Sequence, residues 1–228
     1  MGSEIRLGIS WGKERKGLKD FRLYAITGEQ FHPGRDLIEV MEEAIMGGAD
    51  ILQLRDKHSG REELLRKAKD LRVLTRKHGV TFIVNDHVDI ALEAEADGIH
   101  LGQGDMPLTE ARKLVGGKII GISTHAIEEA LAAEEQGADY IGVGPVYPTA
   151  TKAEAAPVSL SYVREVAARI RIPFVAIGGI KLDNVDAVLA AGTTRICAVS
   201  EIVGSSDVAG TCRAFIRKIE ESRSRIWS

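Results

Sequence analysis

From Phe21 onward the chain repeats one unit eight times: a short apolar run, a polar loop, then a longer amphipathic stretch. The apolar runs cover 21–26, 50–55, 81–85, 98–101, 118–122, 140–143, 173–177 and 195–199. Their near-continuous apolar character predicts strands covered on both faces, as in a parallel sheet. Between them the periodicity predicts helices over 36–46, 61–77, 88–95, 108–114, 126–136, 161–171, 182–190 and 208–221. Several helices run into glycine before the next strand, at Gly47-Gly48-Ala49-Asp50, Gly137-Ala138-Asp139 and Gly192, as a left-handed helix end requires. Eight strand–helix units are the number that closes a (β/α)8 TIM barrel. A doubly wound open sheet is the alternative, but it has no need of eight.

No linker or shift in composition divides the repeat, so residues 21–228 read as one α/β domain behind a short N-terminal extension, 1–20. A chain of 228 residues that is 44% hydrophobic can bury one sizeable core. A net charge of −3 argues against a nucleic-acid partner, which would leave a basic footprint. The longest apolar runs are strand-sized, too short to cross a bilayer. Residues 1–20 carry scattered charges and no apolar core of a signal peptide. Cys197 and Cys212 lack metal-ligand spacing and read as reduced core cysteines. A cytoplasmic protein with small-molecule partners is the expectation, with homo-oligomerisation left open.

In such a barrel the active site lies where the strands end and the loops into the helices begin. The unusual residues of this chain cluster there. The sixth strand empties into Gly142-Val-Gly-Pro-Val-Tyr-Pro-Thr-Ala-Thr-Lys152. Thr149 and Thr151 can donate to anionic oxygens, and Lys152 adds a mobile positive charge. After the second strand come Gln53-Leu54-Arg55-Asp56-Lys57, after the third Asn85-Asp86, and after the fourth His100 to Asp105. Three cations, Arg55, Lys57 and Lys152, thus share one rim with two carboxylates, Asp86 and Asp105. Cations and carboxylates together suggest a polyanion such as a diphosphate, bridged by a hard divalent ion, Mg²⁺. Competing structural roles exist: Arg55 and Asp56 as a surface ion pair, and Asp86 and Asp105 as helix N-caps.

Gly178-Gly179 and Val199-Ser200 imply a second anion site, because the loops after strands seven and eight of these barrels often bind phosphate. Glycine there allows backbone contact that a Cβ would block. His32, His58 and His78 read as solvated, His87 as a first-turn residue, and His125 as bonded within its own loop. His100, in a strand that ends at the rim, is either a satisfied core histidine or a substrate contact. No histidine pair has zinc spacing, and no nucleophile elbow or dinucleotide fingerprint is present.

These motifs, with Gly121-Ile122-Ser123 and Ile177-Gly178-Gly179-Ile180, fall in an order and spacing that resembles the thiamine-phosphate synthase family, from Phe21 to about Asp207. The resemblance implies a Mg²⁺-assisted dissociative condensation of 4-amino-2-methyl-5-pyrimidinylmethyl diphosphate with a phosphorylated hydroxyethyl thiazole. It implies that Gln53, Leu54, Arg55, Asp56, Lys57, Asn85, Ser123 and Lys152 hold the pyrimidine diphosphate, with His100 a further candidate contact. Arg55, Lys57, Lys152 and Ser123 would act in catalysis, and Asp86 and Asp105 would bind one Mg²⁺ per subunit. Thr149, Ala150, Thr151, Gly179, Val199 and Ser200 would hold the thiazole phosphate. The chain departs from the family at Thr193-Thr194-Arg195, where a small Ala-Asp-Gly-like turn is usual. A thiazole tautomerase of the same fold is the nearest rival, but its loop histidine is replaced here by Pro145, which cannot move a proton. A catalytically silent barrel that binds a phosphorylated ligand is the rival of another class.

Overall fold

The computed structural model describes residues 18, 20–149 and 156–226. The expected extension, 1–20, therefore falls almost wholly outside the described residues, as do Ala150, Thr151 and Lys152. Eight parallel strands close into a barrel in sequence order. They are β1 (Leu23–Ile26), β2 (Ile51–Leu54), β3 (Thr81–Asn85), β4 (Gly98–Leu101), β5 (Ile119–Thr124), β6 (Tyr140–Val143), β7 (Phe174–Ile177) and β8 (Ile196–Ala198). Between β1 and β8 the barrel is closed by Leu23 pairing with Ile196 and Ala25 with Ala198.

The helices between strands are α1 (Leu37–Met46), α2 (Arg61–His78), α3 (Val88–Glu93), α4 (Leu108–Val115), α5 (Ile127–Glu135), α6 (Leu160–Arg169) and α7 (Val185–Leu189). A one-turn helix, α8 (Ser200–Val203), precedes the last, α9 (Val208–Ile226). Where a cap is present, local chemistry explains it. The Asp36 carboxylate accepts the N–H groups of Ile38 and Glu39 and starts α1. Gly48, Gly137 and Gly192 all take positive φ, as their positions after helices predicted.

The strands are short and apolar on both faces because one face packs the barrel interior and the other packs the helices. Leu52, Leu54, Phe82, Val84, Ile120 and Ile141 are essentially inaccessible to water.

The floor of the barrel, where the strands begin, is fastened by a repeated clamp. Asp50 accepts the backbone N–H groups of Arg22 and Leu23 and pairs with the Arg22 guanidinium at 3.2 Å. Asp97 accepts the Phe82 N–H and takes Arg72 in a two-bond fork at 2.7 and 3.0 Å. Asp139 accepts the Ile120 N–H and pairs with Arg112 at 2.6 Å. In each case an Ala-Asp pair before an even-numbered strand reaches across to the odd-numbered strand preceding it. At the fourth such place Thr193-Thr194 stands for the Ala-Asp pair; the Thr193 hydroxyl accepts the Arg195 N–H, and Arg195 spans to Asp20 at 2.9 Å. The unusual Thr193-Thr194-Arg195 segment is thus a different solution to the same closure, remote from the rim.

Candidate active site

Opposite the floor, a cleft opens between the strand ends. Gln53, Arg55, Lys57, Asn85, Asp86, His100, Asp105, Ser123, Thr149, Gly179, Val199 and Ser200 all line it. Strand alternation explains part of the set. On β2, Gln53 and then Arg55 face the cavity, so Leu54 between them faces the helices and is 1% exposed. Leu54, expected among the diphosphate contacts, is therefore placed in the core with its side chain away from the cleft. Thr27 fastens this strand end, its hydroxyl accepting the Arg55 N–H at 2.9 Å and donating to the Arg55 carbonyl at 3.0 Å.

Asp56, expected in the same set, lies outside the lining of the cleft. Its carboxylate accepts Lys67 Nζ from α2 at 2.7 Å and the N–H groups of His58 and Ser59. Lys67, buried although charged, also donates to Ser59 at 3.2 Å and to Glu29. Burial alone would raise the Asp56 pKa, but the Lys67, Ser59 and His58 bonds outweigh it and hold the carboxyl well below the ordinary range. Asp56 and Lys67 shape the loop that carries Arg55 and Lys57.

Asp86 and Asp105 are not helix caps. The caps of α3 and α4 are His87 and Pro107, neither with a side-chain bond. Asp86 has φ of 62°, a left-handed conformation that is uncommon for a residue with a Cβ. Asp105 Oδ2 accepts the Gly102 N–H at 2.7 Å within its own loop. Burial, and next a hydrogen bond with Asp105, raise the Asp86 pKa, while Lys57, 3.1 Å away, works in the opposite direction. Burial likewise lowers the Arg55 pKa, against the opposing pull of Asp86. The rim thus holds two adjacent carboxylates flanked by cations, a like-charge pair that an added hard cation would relieve. Among the described residues no cluster of three or more potential metal-binding side chains forms. Two carboxylates nevertheless fit Mg²⁺, which commonly keeps several waters and takes its other oxygens from a phosphate.

Beneath the cleft lies a polar network that strand-by-strand reading missed. Gln53 Nε2 donates to the Tyr24 hydroxyl at 2.7 Å, and the Tyr24 and Tyr140 hydroxyls lie 2.9 Å apart. His100 Nδ1 is 2.9 Å from the Tyr140 hydroxyl, and His100 Nε2 is 2.9 Å from Ser123 Oγ. Both tyrosines are inaccessible to water, and burial raises their pKa. Gly121 leaves the space that the Tyr140 ring occupies; a Cβ there would overlap the phenol. His100 is both hydrogen-bonded within this network and a residue that lines the cleft. The available signal was alternation, which places Tyr24 two residues before Ile26 and Tyr140 two before Gly142, on the same cavity-facing side.

The opposite wall is built from the loops after β6, β7 and β8. Gly178 and Gly179 take φ of 99° and 59°. A Cβ on Gly178 would collide with Pro145, and one on Gly179 with Tyr147 and Pro148. These glycines therefore also serve to let the β6 loop pack on the β7 loop, a role the sequence did not reveal. Thr149 of the β6 loop lines the cleft on this side.

Among the remaining histidines, His32 is only 4% exposed, and His78 lies 3.0 Å from Glu42, so neither is simply solvated. His125 bonds Glu129 on α5 through its backbone N–H at 2.8 Å and lies 3.1 Å from it through Nδ1. Cys197 and Cys212 are free and buried, and burial raises both thiol pKa values, that of Cys212 to about 12. None of the helices, among the described residues, is long and apolar enough to cross a membrane.

Comparison with known proteins meets this geometry from outside. The family model described as thiamine monophosphate synthase matches residues 23–202. The thiamine-phosphate synthase of Halalkalibacterium halodurans is 61% identical over 206 residues, covering 90% of this chain and 98% of its own. That of Shouchella clausii is 57% identical over 207 residues, covering 90% and 99%. A solved thiamine phosphate pyrophosphorylase from Pyrococcus furiosus superposes with a TM-score of 0.82 at 39% identity, covering 89% of this chain and 96% of that one. Matched through all eight strands and nearly the full length of its relatives, the chain belongs to the thiamine monophosphate synthase family of transferases.

Proposed function

We propose that the cleft joins 4-amino-2-methyl-5-pyrimidinylmethyl diphosphate to 4-methyl-5-(2-phosphooxyethyl)thiazole, releasing thiamine phosphate and diphosphate. The carrying observation is the half-buried carboxylate pair, Asp86 and Asp105, set with Arg55 and Lys57 in one cleft with the Gly178-Gly179 corner. The names of the relatives support the same reading. The bond from the methylene carbon to the diphosphate oxygen breaks, and the thiazole nitrogen forms the new bond to that carbon. No protein nucleophile is needed. The barrel has to hold two anions in register and stabilise the one that leaves.

Arg55, Lys57, Asn85 and Ser123 hold the diphosphate, with Lys152 joining them from the β6 loop. Gln53 and His100 face the pyrimidine ring. Thr149, Ala150, Thr151, Gly179, Val199 and Ser200 hold the thiazole phosphate on the opposite wall. Asp86 and Asp105 hold Mg²⁺, which when bound neutralises charge on the leaving diphosphate. This reading takes the protein to be a cytoplasmic enzyme whose partners are phosphorylated small molecules. It also takes residues 1–20 as an extension outside the catalytic barrel.

The test is direct. Incubated with both substrates and Mg²⁺, the protein forms thiamine phosphate and diphosphate; EDTA abolishes the reaction and added Mg²⁺ restores it. Rapid isomerisation of the non-aromatic thiazole tautomer, with no coupling, would replace the synthase by the tautomerase. Full coupling in chelator would remove Asp86 and Asp105 from metal binding.

A further inference from the structure

The network under the cleft has a direction. A primary amide nitrogen only donates, so the Tyr24 oxygen accepts from Gln53 Nε2, 2.7 Å away. Its own proton then goes to its other partner, the Tyr140 oxygen at 2.9 Å. Tyr140 has accepted once from Tyr24, and its proton points on to His100 Nδ1 at 2.9 Å. A neutral imidazole that accepts at Nδ1 carries its hydrogen on Nε2, and that hydrogen faces Ser123 Oγ at 2.9 Å. The Ser123 oxygen accepts it, which leaves the Ser123 hydrogen to point elsewhere, and Ser123 lines the cleft. Each bond polarises the next in a site that water does not reach, since Tyr24, Gln53 and Tyr140 are at most 2% exposed.

We infer that this one-way chain, started by Gln53 and passed through Tyr24 and Tyr140, holds His100 in its Nε2–H tautomer and makes Ser123 a fixed hydrogen-bond donor toward the cleft. Tyr24 and Tyr140 are positioning residues: they touch no ligand and act by setting what His100 and Ser123 present. The use of that donor, for an anionic oxygen of a bound substrate, rests on the function proposed above. The direction of the chain does not.

The experiment reads the tautomer in the ligand-free protein. ¹⁵N NMR of the histidine side chains is recorded near pH 8, well above the ordinary imidazole pKa of about 6.5. The His100 signals are assigned by their loss in His100→Gln. Nε2 is expected as the protonated nitrogen and Nδ1 as the bare one; the opposite assignment overturns the proposal. Gln53→Glu replaces the donor by an acceptor, so Tyr24 must turn round and each link after it reverses. The His100 proton then moves to Nδ1, and the two nitrogen signals exchange character. A folded Gln53→Glu protein with an unchanged His100 would show that Gln53 does not set the direction. Should the buried carboxylate prevent folding, Gln53→Met removes the donor without charge. It is expected to give a mixture of tautomers, and a pure Nε2–H signal there overturns the claim equally. An intact chain in a protein that forms no thiamine phosphate would count against the reaction alone.

Discussion

The two ends of this barrel are both rich in charge and use it in opposite ways. On the floor, Asp50, Asp97 and Asp139 each meet a backbone N–H and an arginine, so every carboxylate is compensated within the fold. On the rim, Asp86 lies beside Asp105, burial and like charge raise its pKa, and its backbone sits in a left-handed conformation. Compensated charge fastens strands. Crowded like charge, which Lys57 offsets only in part, is a cost that a ligand can relieve, and it belongs where a ligand binds. The same residue type does both jobs, and only its surroundings tell them apart.

That comparison can be broken by substitution, and the largest effect is expected on the rim. Asp86→Asn removes one of two carboxylates while keeping a residue that tolerates positive φ. We expect kcat/KM to fall by about 10²–10³-fold, the scale of losing one preorganised charge-stabilising group. Stability should hold or rise, because a half-buried like-charge pair is gone. Retained activity, or unfolding, would mean that Asp86 is a structural residue like those below.

Asp97→Asn is the mirror experiment. It breaks a fork with Arg72 in which both partners are largely buried, and leaves the guanidinium without its counter-charge. A loss of about 3 kcal/mol in chemical denaturation is expected, the scale of breaking a buried pair, with kcat/KM of the folded fraction unchanged. An activity defect without a stability defect would erase the distinction between the two ends.

A smaller effect separates the loop that joins them. Lys67→Met leaves Asp56 buried without its cation and loosens the β2 loop that carries Arg55 and Lys57. Stability should drop by about 2 kcal/mol. KM for the diphosphate substrate should rise more than KM for the thiazole phosphate, whose proposed contacts lie on the far wall. An equal rise in both would show a general loss of packing instead.

The smallest effect is in pH dependence, where the two loop carboxylates should have opposite signs. The Asp86 pKa is raised in the folded protein, so the folded state holds its proton longer than the unfolded chain does. Asp86 therefore costs stability increasingly as pH rises from about 4, its ordinary value, through its raised native value. The Asp56 pKa is depressed, so its contribution is complete above about 4 and fades as pH falls toward its native value. Denaturation of Asp86→Asn and Asp56→Asn across pH 2–7 should give stability differences from the parent that move in these two directions. Parallel curves would contradict the electrostatic account of both sites.

Much of the fold was legible because burial leaves a local trace. The limits of β3, β4 and β6 are those that the apolar runs predict, and the other strand ends move by one or two residues. Among the helices, α9 runs five residues past its expected end, to Ile226, and other misses sit at turns. α7 begins at Val185 rather than 182, because Asn184 Oδ1 accepts the Lys181 N–H and forms a turn first. The single helical turn of α8 was hidden by its shortness. Around the cleft, Gln53, Arg55, Lys57, Asn85, Asp86, Asp105 and Ser123 could be placed at the rim because they end strands or follow them. Leu54 and Asp56, one position away on either side of Arg55, do not line the cleft. Alternation alone should have turned Leu54 outward, whereas nothing within the motif announces Lys67 as the partner of Asp56.

What the sequence by itself determined is the repeat: eight apolar strands, the glycines that stop helices, and the order in which polar residues arrive at the strand ends. These depend on neighbours within about one helical turn or one strand pair, so they are written along the chain. What only the tertiary structure decided is how those polar groups are paired. Tyr24 finds Tyr140 across 116 positions, and Asp56 finds Lys67 on the helix behind it. Asp86 gains its raised pKa from Asp105 in the next loop and from burial that exists only once the barrel closes. Hydrogen-bond direction and carboxylate charge are set by partners and by the exclusion of water, and closure of the eighth strand on the first supplies both.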